Sequence, residues 1–381
     1  MALIVDGKRR IPFLRGMLTH YLLEQGLGFQ DAYSVADKIR SDIQKRKTIS
    51  AEKMVELVQA YTAEIDADRP FGDGHFWRPR TQNVVVEDAE GFRPFSRERL
   101  TQSIAITGVA EEEAYTLAEG LLGKFRAEER DSVSRTHIQK AVASALKTEY
   151  GADYADRYRV WHRYRRQGTP PLIILVGGTS GVGKTSVGVS VANRLKISRV
   201  ASTDDIRQVM RLMIAPNLMP GLHVSSYQAW ESMTPSQDES DPVVSGFREQ
   251  ALRVCVGVRG AIDRAIQENV SLVIDGVHLV PDLLRLESIE GQAIFIHANL
   301  FLSEKSQFQD RYSARGEEAK GRPSHRYLKH LDQIISIQSH ILQQGEEIGT
   351  PSYENNDFDE TVQTVCLQIM DHLREHWKPK S

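Results

Sequence analysis

The stretch LVGGTSGVGKTSV, residues 175–187, decides the fold predicted for this chain of 381 residues. Within it, residues 178–185 read G-x-x-x-x-G-K-T, the pattern of a phosphate-binding loop. Glycines let successive backbone N–H groups point inward, and the N-terminus of the following helix adds its positive dipole end. The residues predicted to bind the nucleotide phosphates are Gly178, Thr179, Ser180, Gly181, Val182, Gly183, Lys184, Thr185 and Ser186.

The segments on either side of the loop supply the structural context that this motif needs. LIILV at 172–176 is apolar on both faces and predicts a central parallel strand. Residues 185–195 carry apolar side chains at helical spacing and predict a helix packed on a sheet. In this setting Lys184 is predicted to reach the β- and γ-phosphates, and the Thr185 hydroxyl is predicted to bind Mg²⁺.

Further strands follow in an alternating pattern. SRVAST at 198–203, SLVIDGVHLVP at 271–281 and AIFIHANLFLS at 293–303 read as strands. Residues around Tyr353 and Asn355 suit an edge strand before a C-terminal helix. The predicted fold class is therefore α/β, with a P-loop NTPase-type parallel sheet flanked by helices.

Charged residues follow the strand at 198–203. Asp204 and Asp205 lie where the ligand crevice of an open α/β sheet is expected, and either could accept a proton from an attacking hydroxyl. Thr203 or one of these aspartates is expected to cap the next helix. Arg207 and Arg211 are four residues apart, hence on one helix face, and could grip an anionic substrate.

The strand at 271–281 carries a third acid. Asp275 fits the role of the carboxylate that holds Mg²⁺ or its water, alongside Thr185. Gly276 would let the backbone pass close to the phosphates. His278 could contact substrate, and a packed histidine explains it equally well.

A basic segment occupies residues 309–334 and is interrupted by Gly316, Gly321 and Pro323. It reads as a lid loop between helices whose arginines close over the transferring phosphoryl group, although a charge run can also be a solvated surface. Arg315 is the predicted catalytic residue of this segment, and Arg322 is predicted to bind substrate. Its basic residues are Arg311, Arg315, Lys320, Arg322 and Arg326.

The first 165 residues contain two related units in tandem. PFLRGMLT at 12–19 matches PFSRERLT at 94–101, an offset of 82 residues that also aligns Gly26 with Gly108. From residue 49 onward the offset becomes 84. Each unit opens with short apolar segments around a turn and continues with helical patterns, which predicts a hairpin followed by helices.

Composition excludes several classes of protein. A net charge of −3 gives no overall attraction to nucleic acid or anionic membranes. No stretch approaches the ~18 apolar residues of a membrane helix, and the apolar run in MALIVDGKRR is too short for a signal peptide. Cys255 and Cys366 form no C-x-x-C pair and are expected to be buried and reduced. We predict a cytoplasmic protein with neither nucleic-acid nor membrane partners.

The tandem units resemble the ATP-cone, a small, mainly helical regulatory module that binds nucleotides. The ending YADRYRVWHRYRR at 154–166 also resembles the end of such modules, although RNA binding or a plain amphipathic helix would suit its aromatic and basic residues. The resemblance implies a nucleotide effector, and a helical scaffold without a ligand is the alternative. The basic residues 8–10 have no basic counterparts at 90–92, which counts against nucleotide binding by at least one copy. The first unit is assigned as degenerate.

The expected domain organisation follows from these features. ATP-cone-like units occupy 1–65 and 84–166, linkers occupy 66–83 and 167–171, and a P-loop kinase domain occupies 172–381.

Four stretches together resemble the 2-phosphoglycerate kinase family: ILVGGTSGVGKTS, RVASTDDIRQVMR, VIDGVHLVP and RYSARG…GRPSHRYLKHLDQI. The resemblance implies ATP, Mg²⁺ and transfer to the 3-hydroxyl of 2-phosphoglycerate. It places the family's T-D-x-I-R pattern on Thr203, Asp204, Ile206 and Arg207.

Two other functions fit the same residues. An inositol phosphate or another sugar phosphate could replace phosphoglycerate, since arginines would neutralise either acceptor. A nucleotide-dependent switch or binding module is the alternative from a different class. Acceptor-dependent release of ADP distinguishes a kinase from a switch.

Overall fold

A computed structural model of the chain describes residues 2–7, 9–44, 46–65, 74–77, 84–88, 91–127, 132–167, 170–232, 241–289, 291–318 and 324–376. The chain divides into two compact units. One comprises Met1–Ala105 and Val109–Ala155, and the other comprises Ile106–Gly108 and Asp156–Ser381.

The first unit contains the predicted repeat as two copies with the same β-β-α-α-β-α order. The first copy consists of β1 Leu3–Asp6, β2 Arg9–Pro12, α1 Arg15–Glu24, α2 Phe29–Ile43, β3 Thr48–Ser50 and α3 Ala51–Ala63. The second copy consists of β4 Val85–Asp88, β5 Gly91–Pro94, α4 Arg97–Ala105, α5 Glu111–Ala127, β6 Val133–Ser134 and α6 Arg135–Glu149. In each copy the first two strands form the predicted antiparallel hairpin, and the third strand pairs in parallel with the first.

The duplication extends to individual side chains. In the first copy the Arg15 guanidinium lies 4.5 Å from the centre of the Tyr33 ring and 3.2 Å from Asp37 Oδ1. Three residues of the second copy, each 82 positions later, repeat this arrangement at 4.5 Å and 3.0 Å: Arg97, Tyr115 and Glu119. Within the predicted linker, Phe76 and Trp77 are buried in the core of the first copy.

The second unit is built around a parallel sheet. Its strands are β7 Leu172–Gly177, β8 Arg199–Ser202, β9 Leu272–Asp275, β10 Ile294–Phe301 and β11 Ser352–Glu354. Its helices are α7 Ala152–Gln167, most of which belongs to this unit, α8 Lys184–Leu195, α9 Thr203–Met213, α10 Pro242–Gln267, α11 Lys305–Glu318, α12 Ser324–Lys329, α13 Leu331–Ile348 and α14 Phe358–His376. Short 3₁₀ segments cover Pro220–His223, Ser226–Ser232, Pro281–Leu283 and Leu286–Ile289.

The sheet has the order β11-β10-β7-β9-β8, and all neighbouring strands are parallel. Alternate residues of the fully buried β7 face two different cores, one formed with α8 and α14 and the other formed with α10. This arrangement confirms the predicted parallel sheet flanked by helices. β11 forms one edge of the sheet, as the residues around Tyr353 predicted.

The aromatic residues of α7 pack inward. Tyr158, Trp161 and Tyr164 are buried, and the Tyr164 hydroxyl forms a 2.8 Å hydrogen bond with Ser271 Oγ. This favours the interpretation of the segment as an amphipathic helix. Its arginine face is not wholly solvated, because Arg157 forms a partly buried ion pair with Asp371 at 2.8 Å.

One local expectation was wrong, and a second was wrong in part. The N-cap of α9 is Ser202, whose hydroxyl accepts a hydrogen bond from the Asp205 amide, and not Thr203 or an aspartate. In the predicted lid segment, α11 continues through Gly316 to Glu318 and α12 begins at Ser324. Residues 319–323, which include Gly321 and Pro323, lie outside the described residues. One glycine costs a helix only about 1 kcal/mol, so Gly316 does not end α11.

Both cysteines are buried and free, as predicted, and burial raises the pKa of each thiol to about 12. In the part of the chain that the structure describes, no helix combines the length and apolar character needed to cross a membrane.

Glycines on α10 allow close packing against the segment that precedes it. A Cβ on Gly246 would overlap the backbone of Trp230 in the 3₁₀ segment Ser226–Ser232. A Cβ on Gly257 would overlap the Ile206 side chain of α9. Small residues at these two positions therefore seat α9 and the 3₁₀ segment against α10.

We expect Gly246→Ala to lower the free energy of unfolding by about 1–3 kcal/mol, since a methyl group must displace the Trp230 backbone. Gly260→Ala, on the same helix with open space around its Cβ, should instead raise stability by about 0.5–1 kcal/mol. Urea unfolding followed by circular dichroism measures both. Stabilisation by both substitutions would contradict the close packing of this segment.

Candidate active site

The loop between β7 and α8 is held from outside by two neighbouring elements. The Tyr312 hydroxyl of α11 donates to the Ser180 carbonyl at 2.7 Å, and Asn355 Nδ2 donates to the Val182 carbonyl at 2.8 Å. Gly183 has a φ of +88°, and a Cβ there would lie 2.5 Å from Asn355 Nδ2, so both conformation and space require glycine. Fixing the carbonyls fixes the peptide planes, which sets the directions of the N–H groups that bind phosphate in such loops.

The loop lysine and the first helical hydroxyl lie at the start of α8. Lys184 Nζ donates to the Thr179 carbonyl of the loop at 2.5 Å. Thr185 Oγ1 donates to Asp275 Oδ2 at 2.6 Å, although the two residues are 90 positions apart. The parallel register explains this contact, since Asp275 at the end of β9 pairs with Val176, just before the loop.

Burial raises the pKa of Asp275, and the hydrogen bond from Thr185 and the charge of Lys184 partly oppose that shift. A buried carboxylate of this kind gains from a bound cation. Among the described residues, no group of three or more His, Cys, Asp and Glu side chains could form a metal site. One hydroxyl and one carboxylate suit Mg²⁺, which takes few protein ligands and completes its octahedron with water and phosphate oxygens. The donor set therefore fits the predicted ion.

The two acids that begin α9 lie beside this pair. Ser202 pairs with Asp275 in the β8–β9 register, so Asp204 and Asp205 follow at the same sheet edge, and both negative charges contribute to the raised pKa of Asp275. Asp204 Oδ1 is 3.7 Å from Arg207 Nη2. Asp204 thus combines proximity to the phosphate loop with proximity to a cationic side chain.

Three arginines form a basic cluster next to these acids. Arg207 has a side chain only 16% exposed, and its Nη1 donates to the Val224 carbonyl. Burial lowers the pKa of Arg207, and the positive charges of Arg211 and Arg326 lower it further. Guanidinium groups gathered in this way are suited to an acceptor that carries several negative charges.

Sequence reasoning missed part of this cluster. Arg326 of α12 donates to Ser225 Oγ at 3.1 Å and to Gln228 Oε1 at 3.3 Å, which links it to the segment after α9. Arg326 was visible as one member of a basic run. Residues 224–228 form an irregular stretch and a 3₁₀ turn, which have no periodic pattern that would identify them.

Some predicted residues lie elsewhere. His278 is buried and hydrogen-bonded, which favours the packed histidine. Gly276 faces the Thr203 side chain, because its Cβ would overlap Thr203 Oγ1, and its predicted approach to phosphate stays a prediction. Arg322 and Lys8 lie outside the described residues, and so does the side chain of Arg315, whose backbone is in α11. Their roles stay predictions.

The chain is similar to one family model and to several known kinases. Residues 84–167 match the family model of the ATP cone domain. The chain is 34% identical over 287 residues to the 2-phosphoglycerate kinase of Pyrococcus horikoshii, covering 75% of this chain and 93% of that one. It is 34% identical over 293 residues to the 2-phosphoglycerate kinase of Methanopyrus kandleri, covering 77% and 88%.

Among solved structures, the shikimate kinase of Acinetobacter baumannii in complex with shikimate covers 54% of this chain and 97% of its own, with 16% identity and a TM-score of 0.34. The fold assignment rests on the sheet order and register rather than on this likeness.

Proposed function

The chain belongs to the 2-phosphoglycerate kinase family, and from this premise we propose that it transfers the γ-phosphoryl group of ATP to the 3-hydroxyl of 2-phosphoglycerate. The products are 2,3-bisphosphoglycerate and ADP. One observation carries the proposal: a phosphate loop, two acids and three arginines meet at a single edge of the parallel sheet.

In this proposal the loop N–H groups and Lys184 bind the phosphates of ATP. Mg²⁺, held by Thr185 and Asp275, would neutralise charge on the β- and γ-phosphates. The bond between the γ-phosphorus and the bridging oxygen breaks as the acceptor oxygen forms its bond to phosphorus. The hydroxyl proton passes to a carboxylate at the start of α9, for which the ion-pair geometry favours Asp204.

The acceptor carries a carboxylate and a phosphate, so it brings about three negative charges to the site at neutral pH. The basic cluster of Arg207, Arg211 and Arg326 provides matching positive charge. Desolvation strengthens the interaction at Arg207, because its side chain is only 16% exposed and is therefore poorly screened by water.

The test is release of ADP by the full-length chain with ATP and Mg²⁺ and one acceptor at a time. We expect ADP with 2-phosphoglycerate and much less with 3-phosphoglycerate or inositol phosphates. Greater ADP release with an inositol phosphate would identify that compound as the acceptor instead. Equal ADP release with and without any acceptor would support a nucleotide-dependent switch instead.

Replacing Arg207 should raise KM for the acceptor much more than KM for ATP. We expect Arg207→Ala to raise KM for the acceptor by about ten- to a hundredfold, the equivalent of one or two charge-assisted hydrogen bonds. KM for ATP should change by less than about twofold. Arg199→Ala provides the control, because Arg199 lies on β8 and pairs with Glu268 at 2.5 Å. Equal increases in KM for the acceptor and for ATP would show that Arg207 has no specific role in acceptor binding.

A further inference from the structure

Three buried polar side chains form a continuous chain of hydrogen bonds behind the candidate site. Thr203 Oγ1 lies 2.8 Å from His278 Nδ1, and His278 Nε2 lies 3.0 Å from Gln250 Oε1. Each of these residues is at most 1% exposed. Neither His278 nor Gln250 has a part in the phosphoryl-transfer chemistry described above.

The hydrogen bonds that Gln250 donates determine where the protons lie in this chain of hydrogen bonds. Gln250 Nε2 donates to two backbone carbonyls, those of Gly221 and Val224, at 2.5 and 3.1 Å. Its Oε1 therefore faces the imidazole and must accept, so His278 carries its proton on Nε2 and accepts from Thr203 on Nδ1. Burial strongly lowers the pKa of His278, which keeps the ring in this neutral form.

These hydrogen bonds also explain why residue 276 is a glycine. A Cβ on this residue would overlap the Thr203 hydroxyl, so the absence of a side chain lets that hydroxyl reach the imidazole. The two separate sequence signatures T-D-D-I-R and D-G-V-H therefore meet in one buried hydrogen bond.

Each end of this chain of hydrogen bonds adjoins a residue that is proposed to act on the acceptor. Thr203 is directly followed by Asp204 at the start of α9. At the other end, the Val224 carbonyl that accepts from Gln250 also accepts from Arg207 Nη1. The next residue, Ser225, accepts from Arg326. These hydrogen bonds thus link the start of α9, through Gln250 of α10, to the segment that accepts hydrogen bonds from Arg207 and Arg326.

We propose that Thr203, His278 and Gln250 are positioning residues that fix Asp204 and Arg207 relative to each other for the acceptor. The inference rests on the proposed function and adds to it a set of residues that touch neither substrate. Its physical basis is that a buried chain with one allowed set of donors has one allowed geometry.

The test compares two substitutions of Thr203 in the full-length chain. Thr203→Val keeps the shape and removes the donor to His278 Nδ1, which leaves a buried acceptor unpaired. We expect kcat/KM for the acceptor to fall about tenfold or more, while KM for ATP changes by less than about twofold. Thr203→Ser retains the hydroxyl and should restore most of the acceptor kcat/KM.

Nitrogen-15 NMR of the wild-type protein tests the same chain without activity. His278, assigned by the signal lost in His278→Gln, should show a protonated Nε2 and an unprotonated Nδ1. The opposite tautomer, or equal losses for valine and serine at position 203, would overturn the inference. Acceptor-independent ADP release by the wild type would instead overturn the proposed function, so the two failures are distinguishable.

Discussion

Lys184→Ala is expected to lower kcat by at least about 10²- to 10³-fold while the protein stays folded. Lys184 is the ammonium group at the mouth of the phosphate loop, where its Nζ already lies 2.5 Å from the Thr179 carbonyl. Removal of one fixed charge that stabilises the developing negative charge of a transition state has an effect of this size. Steady-state ADP release with saturating acceptor measures it.

Lys305→Ala is the matched control for charge. Lys305 begins α11 of the same unit, is 63% exposed and pairs with Asp332 at 2.7 Å. Its loss should leave kcat within about twofold, because exposed ion pairs contribute little. Circular dichroism should be unchanged for both variants, since the Lys184 side chain is only partly buried. Wild-type turnover by Lys184→Ala would refute the assignment of the phosphate loop.

Asp204→Asn should have the second large effect, a loss of about 10²- to 10⁴-fold in kcat, which is typical when a general base is removed. Asparagine keeps the size of the side chain and the fold of α9, and loses the ability to take the hydroxyl proton. Asp204 is favoured over Asp205 because its Oδ1 lies 3.7 Å from Arg207 Nη2 of the basic cluster.

Asp205→Asn is the internal comparison, since the two residues are adjacent and exposed and carry the same charge. Its backbone N–H donates to Ser202, a contact that the substitution preserves. We expect a loss of less than about tenfold for Asp205→Asn. A larger loss at 205 than at 204 would exchange the two roles, and small losses at both would show that neither carboxylate takes the proton.

The two copies in the first unit share more than the order of their strands and helices. The arginine, tyrosine and acid on α1 and α2 recur on α4 and α5 at equal cation–ring distances of 4.5 Å. Surface contacts of this kind contribute little energy each, typically about 0.5–1 kcal/mol. Their recurrence at the same offset indicates that both copies derive from one ancestral sequence.

Much of the second unit was predictable because its strongest signals are local. LIILV followed by a glycine-rich turn and a helical pattern determines a strand, a loop and a helix through interactions between residues a few positions apart. The repeat was equally accessible, since a fixed offset needs no knowledge of the fold. These features gave the fold class, the phosphate loop and the acids at the strand ends.

Contacts across the chain required the tertiary structure. The motifs predicted that Thr185 and Asp275 share one metal site, but their direct hydrogen bond depends on the order in which the strands pair, which local patterns do not encode. Gln250 and the Val224 carbonyl lie on a long helix and an irregular segment that carry no motif. The same holds for Gly276, whose missing side chain makes sense only beside Thr203. Sequence alone determined which local elements form and what chemistry they carry, because those follow from neighbouring residues. The tertiary structure decided which groups meet, because packing brings together side chains that are far apart in the chain.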